Sequence, residues 1–156
     1  MKISTRTTLS VTVGVARTPC EIADEIEQRE GRDARTRWWS ENYPFFDIAN
    51  IEIRDMYGNP TTEVYTGRQY NACAVIRNNR SMKLKAMVIV QVKSPDGVVY
   101  SLGSGVSEFN EYEEKTLCLM FVPAYGGRNR VEVYVWCSWE VPEPLTDWKY
   151  MEFDVV

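Results

Sequence analysis

Histidine is missing altogether from these 156 residues. Its absence removes the usual general base, the usual proton shuttle and the commonest metal ligand. Any Ser-His-Asp or Cys-His mechanism is excluded, and no nucleophile–base pattern stands in its place. No apolar run approaches the ~18 residues that a spanning helix needs. Neither sign of charge dominates: 18 basic against 22 acidic residues leave −4. That balance offers no whole-chain attraction to nucleic acid or to an anionic membrane. The four cysteines include no C-x-x-C, so the close ligand pairs of a zinc site are absent. No catalytic residue, metal ligand or cofactor is expected.

What is present is alternation. Leu9, Val11, Val13 and Val15 alternate with Ser10, Thr12 and Gly14, the pattern of a strand. Preceded by Met1, Lys2 and Arg6, and with small Gly14 and Ala16, the stretch also mimics a short signal peptide. The strand is the favoured reading. Residues 18–37 then predict a helix, with Thr18 at N-cap, Pro19 at N1 and Glu21 at N3, a capping box. Gly31 breaks or ends its first half. Glu25–Arg29 and Asp33–Arg37 are spaced as i,i+4 ion pairs. The aromatic run "RWWSENYPFFD" follows as a connector, interrupted at Tyr43–Pro44.

From Ile48 the period becomes two. Seven strands are predicted, near 48–55, 68–77, 84–93, 97–103, 114–122, 130–139 and 148–155. Turn signals separate them, and "SPDG" (94–97) sets Pro95 and Gly97 where a type I hairpin turn wants them. The expected fold is therefore mainly β, a seven-stranded antiparallel sandwich of immunoglobulin-like kind with an N-terminal strand and a short helix. The expected organisation is a strand extension over 1–17, a helix and aromatic connector over 18–47, and a sandwich over 48–156.

Parity sorts the strand faces. Tyr70, Ala72, Ala74 and Ile76 point to the core, as do Leu84, Ala86, Val88, Val90 and Val92. Leu117, Leu119 and Phe121 join them, with Val131, Val133, Val135 and Cys137. The opposite faces carry Met87, Ile89, Cys118, Met120, Tyr134 and Trp136, too apolar for bare solvent. The N-terminal strand, the helix and the connector are the expected covers, from the same chain or a neighbour. With Trp139, Trp148 and Tyr150, the outer aromatics Tyr134 and Trp136 could form a platform for sugar rings; packing against one another is the plainer reading.

Cys73 and Cys118 both point outward on strands that neighbour in such sandwiches. Of the three possible pairings, the immunoglobulin-type Cys73–Cys137 bridge would join an outward to an inward cysteine, so Cys73–Cys118 is favoured, with Cys20–Cys137 second; four buried free thiols are the alternative. The run "RDARTRWWSENY" interleaves arginine with tryptophan, as single-strand binders do. Nearby Glu25, Glu27, Glu30 and Asp33 neutralise it, and nucleic acid is not expected as a partner. Glu108, Glu111, Glu113 and Glu114 lack the Asp/Asn ladder of a calcium loop.

Residues ~50–156 resemble an immunoglobulin-like domain of archaeal cell-surface proteins, akin to the cell-adhesion-related (CARDB-type) sandwich modules. The stretches that carry the resemblance are "IEIRDMYGNPTTEVYTGRQYNACAVIRNN", "VIVQVKSPDGVVYSLG", "LMFVPAYGGRNRVEVYVW" and "PEPLTDWKYMEFDVV". The family pattern lacks the four cysteines. The resemblance implies an extracellular, non-catalytic structural or adhesive module. Together with the N-terminal strand, it suggests a subunit of a surface assembly or filament that self-associates through Leu9, Val11, Val13 and Val15. The alternative is a glycan- or peptide-binding sandwich that uses the outer-face aromatics.

Overall fold

A computed structural model describes residues 16–156. The expected interaction strand, Leu9 to Val15, lies outside the described residues. The first element is helix α1, Pro19–Glu30. Its capping box is formed: the Glu21 N–H donates to Thr18 Oγ1 at 3.2 Å, and the Thr18 N–H donates to Glu21 Oε1 at 3.1 Å. Gly31, at φ +95°, ends α1 and starts α2, Arg32–Asn42. A side chain there would strain the backbone, which is why glycine fits this joint.

The helical segment thus runs on past Arg37, and Trp38 and Trp39 stand on α2 instead of on an extended connector. Of the two expected intrahelical pairs, Glu25–Arg29 forms at 3.6 Å. Among the described residues Asp33–Arg37 does not form; Arg35 instead bridges back to Asp24 and Glu27 and clips the two helices together.

Seven strands follow: β1 Phe46–Asp55, β2 Tyr70–Asn78, β3 Leu84–Lys93, β4 Val99–Phe109, β5 Glu114–Phe121, β6 Gly127–Trp136 and β7 Lys149–Val155. They form two antiparallel sheets, ordered β1-β2-β5 and β4-β3-β6-β7. In the β3–β4 hairpin the Gly97 N–H donates to Ser94 O at 2.9 Å, with Gly97 at φ +83°. A register shift between Val92 and Lys93 follows from that turn.

The core lies between the sheets. Ala72, Ala74, Ile76, Leu84, Ala86, Val88, Val90, Val92, Leu119, Val131 and Val133 are fully buried on the predicted faces. Each large aliphatic chain there contributes roughly 1.5–3 kcal/mol by leaving water. At one end of the sandwich Phe46 meets Phe109 edge-on at 5.1 Å, and Phe45 packs under Trp38 and Trp39. The helices sit at this end. Cys20 of α1 is bonded to Cys137, just past β6. Cys73 is bonded to Cys118 directly across the β2–β5 ladder, Cα–Cα 4.1 Å. At the far end Tyr70, Phe121, Phe153 and Val64 close the core.

Candidate functional site

The register sets the outer face of the four-stranded sheet. Met87 lies between Val106 and Trp136, and Ile89 between Ser104 and Tyr134. Gln91 lies between Leu102 and Glu132, and Glu132 faces Tyr150. Aromatic rings run continuously across this face. Trp139 meets Trp136 at 5.8 Å, and Trp136 meets Tyr134 at 5.8 Å. Tyr134 stacks with Trp148 at 5.6 Å, interplanar 19°, and Trp148 meets Tyr150 at 5.7 Å. The Arg130 guanidinium ends the row, 4.3 Å from the Tyr150 ring centre, a cation–π contact.

All five aromatic site candidates therefore share one strip. The expected cover by the first part of the chain is not what the described residues provide. The Cys20–Cys137 bond and a 3.9 Å Lys85–Glu21 contact hold α1 at the start of β3. Trp38 and Trp39 hold α2 against Phe45 at the same end. The strip runs away from the helices, leaving Trp139 53%, Trp148 47% and Tyr150 52% exposed. The apolar stripe of α1 is thin, and the largest rings of α2, Trp38 and Trp39, pack on Phe45 at that end.

Beneath the rings lies a polar group that parity alone did not single out. Glu132 points outward yet is only 2% exposed. Its Oε1 accepts from Gln91 Nε2 at 2.6 Å and from Tyr134 Oη at 2.9 Å, and Lys93 Nζ lies 3.1 Å away. Burial pushes the Glu132 carboxyl up. The hydrogen bonds from Gln91, Tyr134 and Lys93 outweigh that and hold it below the usual carboxylate range. Burial and the bond to Glu132 push the Tyr134 phenol up to about 12. No sequence signal marks this network, because Gln91 and Glu132 meet only once β3 and β6 pair.

The network makes a pH prediction. The depressed folded pKa means that the unfolded chain binds more protons in the window below the ordinary glutamate value. The stabilisation is complete above that value and lost as pH falls through the lower folded one. Urea melts from about pH 6 to about pH 3 should show this slope, to which Glu25 and Glu152, lowered by Arg17 and Arg128, also contribute, and Glu132→Gln should make it shallower. An unchanged slope in the variant would remove Glu132 as a source of it.

Past Arg130 the strip opens into a polar cleft of about 390 Å³ lined by Lys93, Asp96, Arg128, Arg130 and Glu152. Arg128 bridges Glu152 at 2.9 Å and Asp154 at 3.2 Å. Ring faces thus adjoin charged hydrogen-bonding groups along one surface. Among the described residues no group of three His, Cys, Asp or Glu could hold a metal ion, and no helix is long and apolar enough to cross a membrane.

No family model and no curated protein matches the chain. Solved structures do. The C-terminal domain of Wzt aligns over 72% of this chain and 74% of its own, at 9% identity and TM-score 0.52. The CARDB domain of a Pyrococcus furiosus protein, solved in complex with di-metal ions, aligns over 72% and 90%, at 20% identity and TM-score 0.49. The Pseudomonas fluorescens alkylpurine DNA glycosylase AlkC, bound to DNA containing an abasic site analog, aligns over 88% of this chain and 38% of its own, at 13% identity and TM-score 0.51. At such identities the likeness is one of fold: the chain is a mainly-β sandwich similar to the C-terminal domain of Wzt.

Proposed function

We propose that this chain is a non-catalytic, extracellular β-sandwich module that binds carbohydrate along the strip from Trp139 to Tyr150. The observation that carries this reading is the pairing of exposed ring faces with fixed polar groups on one surface. Sugars offer C–H faces that stack on flat rings, and hydroxyls that need donors and acceptors. The strip supplies Trp148 and Tyr150 for the first, and Arg130, Lys93 and Glu152 for the second. A protein interface core is depleted in charge by comparison. The extracellular assignment is supported by two disulfides with no free cysteine, since such bonds persist in oxidising compartments.

Screening the oxidised full chain on an array of soluble oligosaccharides tests the idea. A retained glycan should bind about tenfold more weakly to Trp148→Ala, a loss of about 1.4 kcal/mol, with the melting transition of the protein kept. Absence of retention across the array, or equal affinity in Trp148→Ala and Tyr150→Ala, would sink the carbohydrate reading.

A further inference from the structure

The sandwich also has an opening between its sheets. β1 is an edge of one sheet and β7 an edge of the other. Near the helix end Lys149 ties these edges together, its Nζ donating to Ile48 O at 2.9 Å and reaching Asp47 at 3.4 Å. Toward the far end a groove of about 560 Å³ opens, floored by Ile53, Val64, Met151 and Phe153 and rimmed by Glu52, Thr62 and Asp154. From Lys149 to Asp154, β7 ladders only with β6 among the described residues. Among the described residues only Val155 and Val156 are taken on that side, by Val64 and Thr66. A sheet edge with open N–H and C=O groups is a template for an added strand.

We propose that this groove receives residues 1–15 of a second copy of the chain, laid as a strand along β7. The pattern fits. Leu9, Val11, Val13 and Val15 share one parity, so a strand in this position turns all four toward Ile53, Val64, Met151 and Phe153. Leu9 to Val15 is seven residues, enough to cover the six open positions from Lys149 to Asp154. The charge fits as well. Residues 1–15 carry Lys2 and Arg6 and no acid, while Glu52, Glu152 and Asp154 outnumber Arg128 around the groove.

Residues 1–15, extended, span up to about 50 Å, enough to reach a neighbour's groove; folded back on its own β7, the segment would leave the chain monomeric. The described chain begins at Ala16, buried at the helix end, where the Lys85 N–H donates to Arg17 O at 2.9 Å. The groove lies at the opposite end, beside Arg128 and Val64. Donor and acceptor at opposite ends make a heterologous, head-to-tail contact, which builds a ring or an open filament. This inference is independent of carbohydrate binding.

Sedimentation velocity on the oxidised full chain tests it. Wild type should form a concentration-dependent ladder of oligomers. A donor-blocked chain, Val11→Asp with Val13→Asp, should be monomeric, as should a groove-blocked chain, Thr62→Arg with Met151→Arg. Mixed in equal amounts, the two should form a heterodimer that grows no further, because each supplies only one half of the contact. A monomeric wild type, a donor-blocked chain that still assembles, or a mixture that stays monomeric overturns the proposal. Should the groove-blocked chain fail to fold, a labelled Met1–Val15 peptide titrated into the donor-blocked chain replaces the mixing experiment. Saturable one-to-one binding, weakened at least about tenfold by Val11→Asp in the peptide, supports the groove, and no binding overturns it.

Discussion

Replacing Cys20 and Cys137 together by alanine should lower the unfolding free energy by about 5 kcal/mol, the chain entropy regained when residues separated by 117 positions are untied. The Cys73–Cys118 bridge spans 45 positions, and its loss should cost about 4 kcal/mol on the same scale. The two losses differ in kind. Cys73 and Cys118 face each other within a ladder that hydrogen bonds already hold, so the sandwich should keep its native structure. Cys20–Cys137 joins a sparsely apolar helix to the end of β6, and α1 has few other anchors: buried Ala23 and Ile26, and the ion pairs of Arg17 and Lys85. Without that bond the helix pair should open before the sandwich does. Urea melts followed by both far-UV dichroism and tryptophan emission would show two transitions in this variant and one in wild type. A loss below about 1 kcal/mol, well under the usual range for a long-loop bridge, would contradict the argument.

Phe45→Ala should cost about 3–5 kcal/mol, the range for removing a fully buried aromatic side chain. Phe45 is where the helices and the sandwich share a core. Its ring lies 4.8 Å from Trp39, 5.4 Å from Trp38 and 6.4 Å from Tyr43. Its N–H donates to Leu145 O at 3.0 Å, and its carbonyl accepts from the Asn79 N–H at 3.0 Å. The cavity left by alanine opens between three aromatic rings, beside a backbone pinned to Leu145 and Asn79, so little collapse can offset it. Tyr43→Ala, at a position 36% exposed, is the control and should cost far less. Tryptophan emission should shift to the red at denaturant concentrations where the β signal is unchanged. Equal effects of the two substitutions would rule out Phe45 as the joint.

Much of the sandwich was legible because its causes are local. The capping box at Thr18 and Glu21 rests on a bond between residues three apart. The Ser94–Gly97 turn needs only proline and glycine at set positions. Alternation put Val131, Val133 and Val135 on one face whatever their partners. The end of the second helix was less legible: past Arg37 only Glu41 is a strong helix former, and Trp38 and Trp39 pack there on Phe45. The site was half legible. Tyr134, Trp136, Trp139, Trp148 and Tyr150 could be named, but not their union into one strip.

The sequence by itself determined the elements and their buried faces, because strand period, cap and turn are set by side chains a few residues apart. Only the tertiary structure decided which surfaces stay open. Trp148 stacks on Tyr134 because β7 returns beside β6. Glu132 is buried because β3 brings Gln91 and Lys93 to it. The groove beside β7 exists because Lys149 draws two edges together at one end and leaves them apart at the other. Each depends on strands meeting across long stretches of chain, and a strand's alternation says which side is apolar without saying which strand lies next to it.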